Sequence, residues 1–221
     1  MIVAGIDEAG RGAVIGPLVI VGVSFEEKKL AKLKKIGVKD SKQLSQKRRE
    51  KLAKEIEKIA KDVLILKIGA CRIDRYRKEG INLNRLEAMR FGEILLMLKA
   101  DKAYVDAPEN PKKLEKYLKK VLGDVELVVE HKADEKYPVV GAASIIAKVV
   151  REREISRLRK KYGDFGPGYP SNPKTVAWLK NWLEKHKEFP DIVRITWDTV
   201  KQLEKSKKQS RLSKWFSKIK P

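Results

Sequence analysis

Residues Gly5-Ile6-Asp7-Glu8-Ala9-Gly10-Arg11-Gly12 follow Ile2 and Val3, and the apolar residues read as a short buried strand. Side chains alternate faces along a regular strand, so Asp7 and Glu8 converge on one spot only if the strand ends or bends there. Gly10 and Gly12 supply that break. They also leave main chain without Cβ, which another molecule can approach closely. Two adjacent carboxylates at a strand mouth, beside a bare turn and one arginine, suit a divalent metal handling phosphate. The same residues also read as a polar strand end before a tight turn, and the stretch alone leaves both readings open. A dinucleotide-type glycine loop is excluded. Gly10, Gly12 and Gly16 are one residue too widely spaced, and the β-branched run from Val14 to Val21 does not open a helix.

A chain of 221 residues can bury a core in one domain and carry a small second unit. Its 51 Lys and Arg against 30 Asp and Glu give a net charge of +21, which points to a polyanionic partner, nucleic acid first. A heat-adapted surface adds both signs and does not account for the excess of one. Cys71 stands alone, so a disulfide framework is excluded and a reducing cytoplasm fits; the residue reads as a small buried hydrophobe. The N-terminal apolar run lacks the basic start of a signal peptide, and no window reaches membrane-spanning length. The expectation is a cytoplasmic protein with no membrane contact.

Val14–Phe25 reads as a second strand in a hairpin with the first, with Gly16-Pro17 as an irregularity. A lysine-rich amphipathic segment follows over 26–36. Asp40-Ser41-Lys42 then sits in a loop before a helix carrying Leu52, Ile56 and Ile59 at helical spacing. Val63–Leu66 is a third strand, Asn82–Leu98 a helix, and Ala103-Tyr104-Val105 a strand that ends on Asp106. Pro111 starts a helix through Leu122, and Glu126–Val129 is the fifth strand. The loop 131–138 leads into a long helix with Ala142, Ile145, Ile146 and Val149 on one stripe. Strands alternating with helices after a meander predict an α/β layer with a mixed sheet. Beyond Gly163 two helices are predicted, Pro173–Lys185 and Asp191–Lys205, with Trp178, Trp182 and Trp197 as packing anchors. The Lys- and Ser-rich stretch from Lys205 on reads as unstructured by itself.

Asp7-Glu8, Asp106 and Asp134 share one character: each lies at the end of a strand or at the start of the helix beside it. In open α/β sheets these ends form the crevice where ligands sit. Four carboxylates there repel one another unless divalent cations intervene, and oxygen-only ligands favour Mg²⁺ or Mn²⁺ over zinc.

GIDEAGRG (5–12), DSK (40–42), the YVDAP that carries Asp106, HKADEKYPVVGAASIIAK (131–148) and DFGPGYPSNPKT (164–175) resemble type 2 ribonuclease H, most closely its archaeal ribonuclease HII branch. The resemblance runs in matching order to about Gln202. It implies a ribonuclease H-like fold, a five-stranded mixed sheet flanked by helices, as a catalytic domain over 1–165. A C-terminal helical substrate-binding unit over 166–204 and a flexible basic tail over 205–221 would follow. It implies an endonuclease that cuts the RNA of RNA–DNA hybrids and the 5′ side of single ribonucleotides in duplex DNA, leaving 3′-hydroxyl and 5′-phosphate. By motif, Asp7, Glu8, Asp106 and Asp134 match the catalytic, metal-binding set for two divalent ions. Gly10-Arg11-Gly12 matches the turn that reads the ribose 2′-hydroxyl, and Tyr169 the tyrosine at the RNA–DNA junction. Lys42 is a candidate substrate contact, as are Lys148, Lys174 and Thr175, while Asn82 and Asn84 read equally well as substrate contacts or helix caps. His131 reads as structural. Ala13, Gly141 and Pro167 depart from the family pattern, where proline, serine and a small residue are usual.

Gln209, Leu212, Trp215 and Phe216 resemble the peptide by which replication proteins bind the ring-shaped sliding clamp, a short 3₁₀ turn forming a hydrophobic plug. The other reading is a basic amphipathic tail that folds back or brushes DNA. A monomer is expected.

Overall fold

The computed structural model describes residues 1–38 and 44–219, with side chains as far as residue 209. Five strands form one sheet: β1 (Ile2–Ala9), β2 (Leu18–Glu26), β3 (Asp62–Ile68), β4 (Lys102–Asp106) and β5 (Glu126–Glu130), in the order β3-β2-β1-β4-β5. β1 pairs antiparallel with β2 and β2 with β3, whereas β1–β4 and β4–β5 are parallel. This is the mixed five-stranded sheet expected from the sequence. The helices are α1 (Leu30–Lys35), α2 (Gln46–Ile59), α3 (Ala70–Lys78), α4 (Leu83–Leu98), α5 (Pro111–Leu122), α6 (Ala133–Lys136), α7 (Pro138–Tyr162), α8 (Pro173–Lys185) and α9 (Asp198–Ile219).

Several boundaries follow from local chemistry. Asn82, Asn110 and Asn172 cap α4, α5 and α8, each accepting a main-chain N–H from the first turn. Pro111 and Pro173 occupy first helical positions, where a missing N–H costs nothing. Four expectations are corrected. The helix expected over Asp191–Lys205 starts only at Asp198. β2 begins at Leu18, so Val14 and Ile15 lie outside it. Cys71 is exposed on α3, a helix that the sequence reading passed over because its apolar positions are few. The stretch from Lys205 is not irregular: α9 continues to Ile219, since no Gly or Pro interrupts 198–219 and most of its residues are good helix formers.

The chain divides into two compact units. The first takes Met1–Arg11, Leu18–Ile68 and Ile81–Arg153, the second Gly12–Pro17, Gly69–Gly80 and Glu154–Pro221. The first unit ends at Arg153, and two early segments, Gly12–Pro17 and Gly69–Gly80, go with the C-terminal part. In the first unit, β1 and β2 pack against α2 and the apolar stripe of α7 through residues such as Val21, Val23, Ile56, Ala142 and Ile146. In the second, Val14, Ile15, Phe165, Leu179 and Val193 form a separate core. Trp178 stacks edge-on to Phe165 and flat on Trp182, and Arg77 and Arg194 both lie over the Trp197 ring, so all three tryptophans are packing anchors.

Candidate active site

The four acids lie in the first unit, at one end of its two central parallel strands. β1 does not stop at Asp7 as the sequence suggested. It continues to Ala9 with Asp7 opposite Val21 and Glu8 opposite Ile20, while its pairing with β4 ends at Ile6–Val105. One side of β1 is thus still laddered where the other opens, and that opening is the crevice the carboxylates need. Asp106 is the last residue of β4. Asp134 lies in α6, immediately beyond β5, and is 6% exposed. Asp106 Oδ1 accepts the N–H of Ala133 at 2.7 Å, tying the start of α6 to the end of β4. His131 adds a second tie from its Nδ1 to Ala107 O at 2.9 Å, a structural role as expected.

The electrostatics show how closely the acids approach. Asp7 is 4% exposed, and burial, then the Asp106 charge, push its carboxyl up to about 7, with Asp134 adding to the rise. Ser144, buried on α7, lies near enough to Asp7 to lower it, though its hydroxyl makes no well-formed hydrogen bond. Glu8 is pushed well above the usual glutamate range by burial, then by Asp7, Glu87 and Asp106, against a partial offset from Arg11. Glu8 Oε2 is buried with no hydrogen-bond partner. A buried carboxylate oxygen in that condition is costly unless a cation meets it. Among the described residues no three such side chains already stand at the spacing of a finished metal site. Asp7 and Asp106 instead each turn an oxygen to backbone N–H groups. The donor set is all oxygen, which fits Mg²⁺ or Mn²⁺.

The start of α7 packs directly on β1. A Cβ on Gly5 would sit 2.4 Å from the Val139 carbonyl, so β1 and the start of α7 touch backbone to backbone. At Gly141, where the resemblance leads one to expect serine, a Cβ would lie 3.0 Å from Val38 O and 3.1 Å from Asp134 O. Glycine suits that close fit.

The turn after β1 is held from α4. Arg11 Nε donates to Glu87 Oε2 at 2.9 Å, and its Nη2 reaches Asn84 Oδ1 and, at 3.4 Å, Glu109 Oε1. Glu87 is 1% exposed, and the sequence reading missed it: an acid on an apolar helix face looks like a solvated position until its cation is located. Gly10 has φ +84°, which glycine permits. Nothing among the described residues lies within 4 Å of a Cβ placed on Gly12. The fold leaves that space open.

In the second unit, the Tyr169 carbonyl accepts the Asn172 N–H at 3.1 Å, and the loop before it is fixed by Gly168, whose carbonyl receives Val14 and Ile15 N–H. Thr175 is not placed to meet a phosphate. It is fully buried, donating to Phe165 O at 2.8 Å and accepting from Gly168 N at 3.2 Å. Lys174 is ion-paired with Asp164 at 2.5 Å. Asn82 is the α4 cap. Lys42 lies outside the described residues, as do the side chains of Leu212, Trp215 and Phe216; Gln209 is exposed on α9.

A mixed β3-β2-β1-β4-β5 sheet with acids at the open end of β1 and β4 defines a ribonuclease H-like enzyme that uses divalent metal. The sequence profile of the family Ribonuclease HII matches residues 4–200. The chain is 47% identical over 219 residues to the ribonuclease HII of Pyrococcus abyssi, covering 96% of both chains. Its structure is similar to that of the Pyrococcus horikoshii OT3 ribonuclease H2 (TM-score 0.87, 46% identity, 93% of this chain and 98% of that one). It is also similar to the chain in the PCNA:RNase HII complex from Archaeoglobus fulgidus (TM-score 0.83, 49% identity, 90% and 96%). The chain belongs to the ribonuclease HII family, and its activity is that of a ribonuclease H. Among the described residues no helix is long and apolar enough to cross a membrane.

Proposed function

We propose that Asp7, Glu8, Asp106 and Asp134 hold two divalent cations, Mg²⁺ or Mn²⁺, at which the enzyme hydrolyses phosphodiesters on the RNA strand of RNA–DNA hybrids. It also cuts the 5′ side of single ribonucleotides embedded in duplex DNA, leaving 3′-hydroxyl and 5′-phosphate ends. Bound there, the ions would activate water and stabilise the leaving oxygen. The observation that carries the reading is the mutual strain of the acids: Asp7 is buried and Glu8 half-buried, both are raised by burial and by neighbouring carboxylates, and Glu8 keeps a buried oxygen with no hydrogen-bond partner.

The remaining residues bind and select. Gly10-Arg11-Gly12 brings main chain against the ribose, and the open space at Gly12 supports a close approach that a side chain would obstruct. Lys42 contacts the substrate backbone and Tyr169 packs at the RNA–DNA junction. Gln209, Leu212, Trp215 and Phe216 bind a sliding clamp, a reading supported by the Archaeoglobus fulgidus relative whose structure is that of a PCNA:RNase HII complex. The enzyme works as a monomer in the cytoplasm, where a +21 charge serves binding to nucleic acid.

The test is cleavage mapping on one duplex carrying a single ribose, with and without chelator. One cut on the 5′ side of the ribose, lost with chelator, is expected; cutting of an all-deoxy duplex would sink the assignment. Asp106→Asn should abolish cleavage yet still bind hybrid, because an Asn Oδ1 can keep accepting the Ala133 N–H that orders α6.

A further inference from the structure

From Val139 to Ala147, α7 reads Val-Val-Gly-Ala-Ala-Ser-Ile-Ile-Ala, and Ser144 is the one polar side chain in that run. It is 1% exposed, among apolar neighbours on the helix that are all buried. Its Oγ has no hydrogen-bond partner among the described residues, not even the carbonyl one turn back to which a serine inside a helix can turn. Alanine would fill the same place with no hydroxyl to desolvate, and a buried polar group left without a partner is destabilising. Packing therefore does not call for serine here.

The register of α7 on β1 says what the hydroxyl faces. Gly5 lies against the peptide unit between Val139 and Val140, where a Cβ on it would sit 2.8 Å from Val140 N. Asp7 is two residues further along β1, so its side chain leaves the same face of the strand, about 7 Å on. Ser144 is one turn past Val140, about 6 Å along α7 and on the same side of the helix. The two steps match. Burial and then the Asp106 charge raise the Asp7 carboxyl, and Ser144 heads the influences that lower it, although no well-formed hydrogen bond joins the two. Asp7 already has one fixed donor, since its Oδ1 accepts the Glu8 N–H at 2.7 Å.

We propose that Ser144 is a positioning residue for Asp7: when the carboxylate is charged and meets a divalent cation, the Ser144 hydroxyl turns to it and donates. The Glu8 N–H and the Ser144 O–H then orient the carboxylate with two donors, and its remaining lone pairs are left for the cation. A hydroxyl suits this task because it adds no charge to a place meant for a cation and needs only one bond rotation to find its acceptor. Ser144 itself touches neither substrate nor the reacting atoms. The inference rests on the metal-binding reading of the four acids.

The test uses the full chain without substrate: Mn²⁺ is titrated calorimetrically into the parent and into Ser144→Ala, and both are melted in chelator. Ser144→Ala should weaken Mn²⁺ binding by about 10- to 100-fold, the loss that follows when a group supporting a metal ligand is removed. In chelator it should melt at or above the parent's temperature, because it no longer buries an unsatisfied hydroxyl. Binding of RNA–DNA hybrid in chelator, read by fluorescence anisotropy, should be unaltered, and cleavage that is lost at limiting Mn²⁺ should return as Mn²⁺ is raised. An unchanged Mn²⁺ affinity would overturn the proposal. So would a clear fall in Tm in chelator, which would make the hydroxyl part of the fold and not a support for the cation site. A parent that takes up no Mn²⁺ would refute the metal reading itself, whereas a parent that binds Mn²⁺ and cuts hybrid no better than Ser144→Ala would refute only the role of Ser144.

Discussion

The Arg11 guanidinium meets the Glu87 carboxylate at 2.9 Å, joining the turn after β1 to the second turn of α4, with the carboxylate only 1% exposed. Removing the two partners has unequal consequences. Arg11→Ala removes the cation that buried Glu87 meets at 2.9 Å, and breaking a buried pair from that side costs up to about 3–5 kcal/mol. Glu87→Gln leaves behind a half-exposed arginine that water can reach, so its cost is smaller. Urea denaturation should therefore rank Arg11→Ala below Glu87→Gln, and both below the parent. The reverse order would mean that Glu87 is supported chiefly by something other than Arg11.

The same crevice makes stability depend on pH. Asp7 titrates near 7 in the folded protein against an ordinary value of 3.8, so the folded chain keeps a proton that the unfolded chain has released. By linkage, this group lowers stability as pH rises from about 4 to 7. The cost is absent below 3.8 and full above 7. Denaturation in chelator should show that fall, and Asp7→Asn should flatten it. A divalent cation replaces the proton, so Mn²⁺ should raise Tm more at pH 8 than at pH 5. An equal gain at both values would show that Asp7 is not a ligand.

How much of this was legible in the sequence depends on the range of the signal. The strands, α4, α5 and α8 carry theirs locally, in apolar runs with Asn or Pro at the boundaries, and they lie close to where they were expected. The four acids could be grouped from the sequence because each lies near the end of a strand or ahead of the helix beside one. What escaped depends on partners far away in the chain. Glu87 is 76 residues from Arg11. Asp74 is 121 and 122 residues from Ile195 and Thr196, whose N–H groups it accepts. Arg194, fully buried, is 178 residues from the Gly16 carbonyl that it holds. Each is a polar residue whose burial is tolerable only with its partner present, and no local pattern announces it.

Gly5 tests the packing that shapes the crevice. Its missing side chain lets the β1 backbone meet the Val139 carbonyl, and a Cβ would come within 2.4 Å of main chain that cannot swing away. Gly5→Ala should cost at least the ~1–3 kcal/mol of an overpacked core. It should also lower activity more than stability alone explains, because Asp7 lies two residues on. Activity per folded molecule, with the folded fraction taken from circular dichroism, is the measurement; an unchanged specific activity would separate this contact from the site.

Gly168 and Tyr169 allow loop shape and side chain to be tested apart. Gly168 has φ +84°, and a Cβ there would sit 2.7 Å from Ile15 O, so Gly168→Ala must displace the segment that presents Tyr169. Tyr169→Ala removes the ring and leaves the carbonyl that receives Asn172 N–H. Both changes should reduce cleavage at a single embedded ribonucleotide more than cleavage of a long hybrid, with Gly168→Ala also lowering Tm. Equal losses on the two substrates in Tyr169→Ala would remove the ring from junction recognition.

Truncation after Lys208 cuts α9 between its packed part and the part proposed to bind a clamp. Lys207 Nζ donates to the Leu183 and, at 3.2 Å, the His186 carbonyls, the last of which lies just past α8. The shortened protein therefore keeps the tie that holds α9 against the end of α8, and it retains Val200 in the core of the second unit. It loses Gln209, Leu212, Trp215 and Phe216. The spacing of three and four between the last three suits one stripe of an α-helix as well as a 3₁₀ turn, so helical backbone over 198–219 is compatible with clamp binding. Hybrid cleavage should persist with Tm within a few degrees of the parent, while capture by an immobilised sliding clamp of the PCNA type disappears. Capture that survives the truncation would place the clamp contact elsewhere on the protein. A marked drop in Tm would show instead that the last turns of α9 belong to the fold.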